Sequence, residues 1–202
     1  MKIVIIGASG DVGRSVADEL ARGGKHEIIR VGRTQGDYQV DIASDDSVGA
    51  LFKKIGQIDA IIATAGNVIL APIEKMTAAD FNKGLQDKLL SQVRVALVGQ
   101  HYLNDGGSIT LTSGIAVDDP IAQGSNAAAS NAGIEGFVRA AACDLSRGIR
   151  INAVSPTVLT ESMDRFGPYF PGYESVPATR VAMAYRRSVE GVQSGRVYRV
   201  GH

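Results

Sequence analysis

One cysteine, six prolines, three histidines and no surplus of either charge set the first limits on this chain. Cys143 has no partner for an intramolecular disulfide and lies in an alanine-rich helical run, which points to a reducing compartment and a packing role rather than a catalytic thiol. Lys plus Arg number 21 and Asp plus Glu number 21, so no excess positive charge is available for the phosphate backbone of nucleic acid or an anionic membrane surface. A small neutral or cofactor-like ligand fits that balance better. The apolar opening MKIVIIG is far too short to span a membrane and merges into a folded motif rather than a cleavage site, so a cytoplasmic protein is expected. His26, His101 and His202 stand apart, no cluster of His, Cys or acids has metal-ligand spacing, and no metal site is expected.

What is present is a chain of 202 residues, 45% hydrophobic and with 24 glycines, which suits a single domain over residues 1–202. Short apolar runs recur at Lys2 to Ile6, Glu27 to Val31, Ile58 to Ala63, Ser108 to Thr112 and Ile149 to Val154, with helix-compatible segments between them. That alternation predicts an α/β fold: a doubly wound, Rossmann-type parallel sheet flanked by helices on both faces. Ser44 before an acidic pair and Thr77 with Asp80 read as helix starts, and GRVYRV alternates like an edge strand. Arg165 to Pro177, broken by prolines and glycines, reads as a loop over a cleft.

GASGDVG places Gly7, Ser9, Gly10, Asp11, Val12 and Gly13 between the first strand and the first helix. Glycine there permits a tight turn and close approach of a pyrophosphate, whose charge meets unpaired amides and the positive end of the helix dipole. A ligand-free strand-to-helix connection is the plainer reading, but the position after KIVII favours a dinucleotide site. An NAD site wants an acid at the end of the next strand to hold the ribose hydroxyls. IIRVGRT instead offers Gly32 followed by Arg33, with Thr34 and Arg14 as further donors. The fork and fixed charge of arginine suit a 2′-phosphate. A solvated loop arginine is the alternative; the missing acid favours NADP(H).

GASGDVG, VDIAS, ATAG, GSITLTSG and RINAVSPTVLTESM, in this order, make the sequence similar to the short-chain dehydrogenase/reductase family over nearly its whole length. The resemblance implies that Asp41 meets the adenine, with Ile42 packed against it. It implies that Thr64, Ala65 and Gly66 line the cofactor, and that Pro156 and the run through Val158 meet its nicotinamide end. The Leu159 backbone would meet the carboxamide, and Thr160 would lie near the pyrophosphate. Thr157 stands where the family has glycine.

By the same resemblance the family's serine, which holds the substrate carbonyl, matches Ser113. Asn126 stands where the proton-donating tyrosine belongs, Ser130 where the lysine belongs, and Lys88 where an asparagine belongs. A bacterial subgroup of this family, of undetermined function, looks like this chain in keeping the cofactor motif without the usual active site. The physical consequence stands without the family. A free tyrosine titrates near ~10 and needs a nearby ammonium to work at neutral pH, whereas an asparagine exchanges no proton there. Loss of a positioned general acid costs ~10² to 10⁴ in rate.

Lys88, if desolvated, is a candidate replacement acid; it can equally bridge to a cofactor ribose or point to solvent. Tyr169 and Tyr173 sit in the covering loop and can swing inward, or can be surface aromatics on a lid. Two readings remain open: an atypical NADPH-dependent oxidoreductase acting on a small substrate such as a carbonyl compound, and a non-enzymatic NADP(H)-binding sensor or partner-binding protein. The helices around Leu85 to Leu103 and Ala127 to Leu145 pair subunits in many relatives, so a homodimer or homotetramer is expected.

Overall fold

Each apolar run becomes a parallel strand in the computed structural model, which describes residues 1–202. The strands are β1 (Lys2–Ile6), β2 (Glu27–Gly32), β3 (Tyr38–Gln39), β4 (Ile58–Ala63), β5 (Leu103–Thr112), β6 (Arg150–Pro156) and β7 (Val197–Val200). They form one seven-stranded sheet in the order β3-β2-β1-β4-β5-β6-β7, with every neighbouring pair parallel. The helices are α1 (Asp11–Ala21), α2 (Asp45–Ile55), α3 (Ala78–Gly84), α4 (Ser91–Gly99), α5 (Ser125–Asp144), α6 (Met163–Phe166) and α7 (Ala178–Glu190). The fold is the doubly wound α/β sheet that the alternation predicts.

Residues alternate along β1 between two separate cores. Ile3 and Ile5 join Val16, Leu20, Val181 and Tyr185 under α1 and α7, while Val4 and Ile6 join Phe52, Val95, Ile134 and Val138 under α2, α4 and α5. Both faces are buried, so the strand reads as a continuous apolar run rather than an alternating one. The Ser44 hydroxyl accepts from the Ser47 amide at the start of α2, and Thr77 and Asp80 cap α3 reciprocally, as their spacing predicts.

Three features lay outside the sequence pattern. β5 starts at Leu103, not Ser108, because Asn104–Gly107, which reads as a turn, is a bulge on the strand. β3 is only two residues long and carries no periodicity. The helical rod from α3 to α4 passes through a π-helical stretch at Leu85–Leu90. Cys143 is a correction: it is exposed on α5 and does not serve packing, since alanines on the other faces of that helix make the contacts.

Gly99 shows how tightly the second core closes. A Cβ there would lie 2.4 Å from Ile61 Cδ1 and 2.9 Å from Phe52 Cζ. Phe52 is fully buried and stacks on Tyr102 at 5.7 Å between ring centroids. Phe52→Ala is expected to lower unfolding free energy by ~3 to 5 kcal/mol, measured by denaturant titration; a loss below ~1 kcal/mol would mean that this core is loosely packed.

Candidate functional site

The strand order reverses between β1 and β4, and the carboxyl ends of those strands diverge there, as they do at the ligand crevice of open α/β sheets. Gly7 ends β1 with φ +89°, and a Cβ on it would lie 2.7 Å from both the Ala65 amide nitrogen and Thr64 Oγ1. Gly13 is equally constrained: its Cβ would lie 2.2 Å from the Gly7 carbonyl oxygen, so α1 packs directly on the turn. Gly10 differs. Its φ is an ordinary −77°, and a Cβ would meet only the Gly7 oxygen, at 3.6 Å. Packing therefore accounts for Gly7 and Gly13 but not for Gly10, which stands at the amino end of α1 where no side chain caps the helix. An open glycine and uncapped amides fit an approaching pyrophosphate.

A cavity of about 410 Å³ opens at this point. Gly7, Ser9, Gly10, Arg33, Asp41, Ile42, Thr64, Ala65 and Gly66 all line it. The structure thus brings these sequence-predicted residues around one cleft. Asp41 is fixed in a local turn by accepting a hydrogen bond from the Ala43 amide at 3.0 Å. Arg33 is exposed and Thr34, also exposed, stands beyond the lining, its carbonyl accepting from the Gln39 side chain. The opposite wall carries Lys83, Asp87 and Ser91, one helical turn apart, which the sequence analysis missed. Their i, i+4, i+8 spacing was the available signal.

Asp11, Val12 and Gly13 begin α1 behind the cavity, and Pro156, Val158, Leu159 and Thr160 lie outside its lining. That second group is held by its own contacts: the Val176 amide donates to the Val158 oxygen and the Thr160 amide to the Val176 oxygen. One link joins the groups. Ser162 Oγ donates to Asp11 Oδ2 at 3.3 Å, tying the chain after β6 to the start of α1, while Arg14 donates to Asp11 Oδ1 at 2.6 Å.

The residues standing at the family's serine, tyrosine and lysine positions are engaged elsewhere or buried. Asn126 is completely buried; its Oδ1 accepts from the Ile69 amide at 3.0 Å and its Nδ2 donates to the Phe81 carbonyl at 2.9 Å. The amide therefore ties the segment after β4 to α3. Gly84 is the complementary residue, because a Cβ there would fall 1.9 Å from Asn126 Oδ1. Ser113, only 3% exposed, donates to Glu135 Oε1 at 2.9 Å. Glu135 is buried, receives Arg139 at 3.0 Å and lies 3.9 Å from Arg199. Arg199 in turn grips Asp118 with two hydrogen bonds of 2.7 Å, which hold the Asp118 carboxyl below its usual range. The Glu135–Arg139 spacing of four residues was the signal for this pair. Ser130 is buried with its Oγ unpaired.

Lys88 stands within the π-helical stretch, and its Cα and Cδ lie 3.1 Å from where Gly66 would carry a Cβ. Its ammonium has no hydrogen-bond or ion-pair partner, and desolvation brings its pKa down from 10.5 to about 8. Tyr173 goes the other way: burial, followed by its hydrogen bond to the Asp119 carbonyl, raises its pKa. Burial thus moves the loop phenol away from neutrality and Lys88 toward it. No helix is long and apolar enough to cross a membrane, and no group of His, Cys and acids could hold a metal ion.

The family described as Enoyl-(Acyl carrier protein) reductase matches residues 1–194. A hydroxynaphthalene reductase-like protein of Metarhizium brunneum is 27% identical over 176 residues, covering 76% of this chain and 66% of its own length, just under two thirds. L-xylulose reductase of Mesocricetus auratus is 24% identical over 218 residues, covering all of this chain and 89% of its own. Among solved structures, a protein from Listeria innocua superposes with TM-score 0.96 at 43% identity, covering 99% of each chain. A small-chain dehydrogenase in complex with NADPH superposes with TM-score 0.88 at 29% identity, covering 99% of this chain and 96% of that one.

Two measurements check these placements. Asn126→Ala leaves the Ile69 amide and the Phe81 carbonyl unpaired and should cost ~2 to 4 kcal/mol of stability; no loss would show that the clamp does not form. Lys88 has a native pKa below its unfolded value, so the unfolded chain binds more protons between about 8 and 10.5. Stability should therefore rise with pH across that window, and Lys88→Met should remove the rise in thermal melts. Identical pH profiles for the two proteins would place the lysine in solvent.

Proposed function

The chain belongs to the short-chain dehydrogenase/reductase family, and on that basis we propose that it is an NADP(H)-binding oxidoreductase with a degenerate active site, acting on a small carbonyl compound. The observation that carries the reading is the cleft at the β1–β4 switch point, with Gly10 open toward it and Arg33 at its end. The NADPH complex of the 29%-identical small-chain dehydrogenase supports it.

In this reading the amides of Ser9 to Gly13 hold the pyrophosphate, Arg33 and Thr34 take the 2′-phosphate, and Asp41 and Ile42 bound the adenine. Thr64, Ala65 and Gly66 face the ribose. Pro156, Val158, Leu159 and Thr160 approach the nicotinamide end once the Ser162–Asp11 link brings that segment over α1. The bound nicotinamide supplies a hydride. The chain supplies the proton from Lys88, the one unpartnered side chain beside the cleft that titrates near neutral pH. Ser113 contributes only if its hydroxyl leaves Glu135, so its part is secondary, and Asn126 and Ser130 transfer no proton. Substrate enters a cavity of about 380 Å³ bounded by Pro120, Ile121, Tyr169 and Tyr173. A cytoplasmic homodimer or homotetramer, joined through the apolar groove between α4 and α5 at Leu97 and Phe137, completes the proposal.

A specific observation favours the second reading, a non-enzymatic NADP(H)-binding sensor or partner-binding protein. The Ser113 hydroxyl and the Asn126 amide are both committed to structural bonds.

Titration of NADPH and NADH, followed by reduced-cofactor fluorescence, tests the common ground. NADPH should bind more tightly, and Arg33→Ala should weaken it ~10-fold or more while leaving NADH almost unchanged. Equal binding of the two cofactors would remove the 2′-phosphate assignment. A carbonyl screen at saturating NADPH separates the readings: turnover that falls as pH rises through about 8 and is lost in Lys88→Met supports the enzyme, and silence across the screen supports the binding protein.

A further inference from the structure

Two segments outside the sheet face each other across the cavity of about 380 Å³ that the reading above gives to substrate. Residues 120–123 lie between β5 and α5, and residues 168–173 between α6 and α7. The Tyr173 hydroxyl bridges the two segments by donating to the Asp119 carbonyl at 3.4 Å, and Phe170 meets the Tyr173 ring edge-on at 5.3 Å between centroids. Pro120, Pro168 and Pro171, half of the chain's six prolines, line the cavity together with Tyr169 and Tyr173. Rigid proline faces and tyrosine rings offer flat contact at little entropic cost. No charged side chain lines this cavity, whereas Arg33, Asp41, Lys83 and Asp87 all line the cleft at the β1–β4 switch point.

Gln123, the one side-chain amide of the lining, sits in a conformation that side chains rarely adopt, with φ +62°. Arg147 is the other non-glycine residue at positive φ, and its guanidinium accounts for it by donating to the Leu103 and Gln100 carbonyls and to Asp105. Gln123 has no such account. Its backbone carbonyl accepts from the Ala71 amide at 3.2 Å, which fixes the turn, but its side-chain amide makes no hydrogen bond within the chain. Backbone strain of this kind persists where the surrounding structure holds it, and it collects at ligand sites.

We propose that this cavity selects an uncharged, planar ring compound bearing a hydroxyl group, and that Gln123 is the specificity residue that hydrogen-bonds that hydroxyl. A mostly apolar cavity with one placed polar group is how small-molecule sites fix orientation. A carboxylate or phosphate would enter without a counter-charge, and a flexible acyl chain would lose its rotamer freedom against flat walls. The proposal rests on the oxidoreductase reading only in giving the ring a carbonyl to be reduced; recognition of the ring belongs to the cavity alone.

The test titrates the intact protein, with and without NADPH, with four probes followed by ligand-observed saturation-transfer NMR: hydroxyindanone, indanone, indanone carboxylate and straight-chain nonanone. Hydroxyindanone should bind ~5-fold more tightly than indanone, the worth of one hydrogen bond. It should bind ~10-fold more tightly than the carboxylate or the open chain. Gln123→Gly accepts the positive φ without strain, so thermal melts should show no loss of stability, while the preference for hydroxyindanone over indanone disappears. Tyr169→Leu should bring indanone and nonanone to similar affinity; where that variant fails to fold, the four probes on the unaltered protein decide the same point. Absence of saturable ring binding, equal binding of indanone and nonanone, tighter binding of the carboxylate, or a hydroxyl preference that survives Gln123→Gly would each overturn the proposal. Ring binding with this selectivity in a protein that ignores NADPH would uphold it and remove the oxidoreductase reading instead.

Discussion

Everything at the carboxyl edge of the sheet depends on one close backbone approach, that of Gly7 to Thr64 and Ala65. With any side chain at Gly7, β1 and β4 could not diverge at their present spacing, and with one at Gly13, α1 could not pack against the turn. The two glycines fix where α1 begins and therefore where its uncapped amides point. The cleft is consequently a property of backbone geometry, and chemistry can be lost around it without losing the cleft. That separation lets the side chains around the cleft vary without changing its backbone shape.

The polar side chains near the cleft are tied into the scaffold. Asn126 and Gly84 interlock, so Asn126 ties the segment after β4 to α3. Ser113 leads through Glu135 toward Arg199 and Asp118, joining the ends of β5 and β7. A buried polar group must be paired, and these two found partners in the scaffold. Lys88 did not: it packs against Gly66 without a counter-ion, in a stretch where the helix widens to π geometry. π-helical turns occur often at functional sites, and this one holds a lysine whose pKa desolvation brings down to about 8.

The strands, the layer order and the glycine turn after β1 were legible because they follow from local rules: apolar runs, helix caps and the spacing of Gly7, Gly10 and Gly13. The bulge at Asn104–Gly107 was not, since a short polar glycine run reads as a turn whether or not the strand continues through it. Nor was the π-helical stretch at Leu85–Leu90, whose residues carry no pattern that distinguishes it from α-helix. The partners of Ser113 and Asn126 were equally hidden, because Glu135 and Ile69 lie 22 and 57 residues away from them. Long-range contacts of that kind decide whether a polar side chain faces a ligand or the scaffold, and a family motif records only that the position exists.

A crystal structure of the protein grown with NADPH tests the central claim most directly. The account predicts a pyrophosphate against the amides of residues 9–13, a 2′-phosphate at Arg33, and the Ser113–Glu135 and Asn126–Ile69 bonds unchanged beside the bound nucleotide. A nucleotide bound elsewhere, or one whose arrival turns Ser113 and Asn126 toward the nicotinamide, would contradict it.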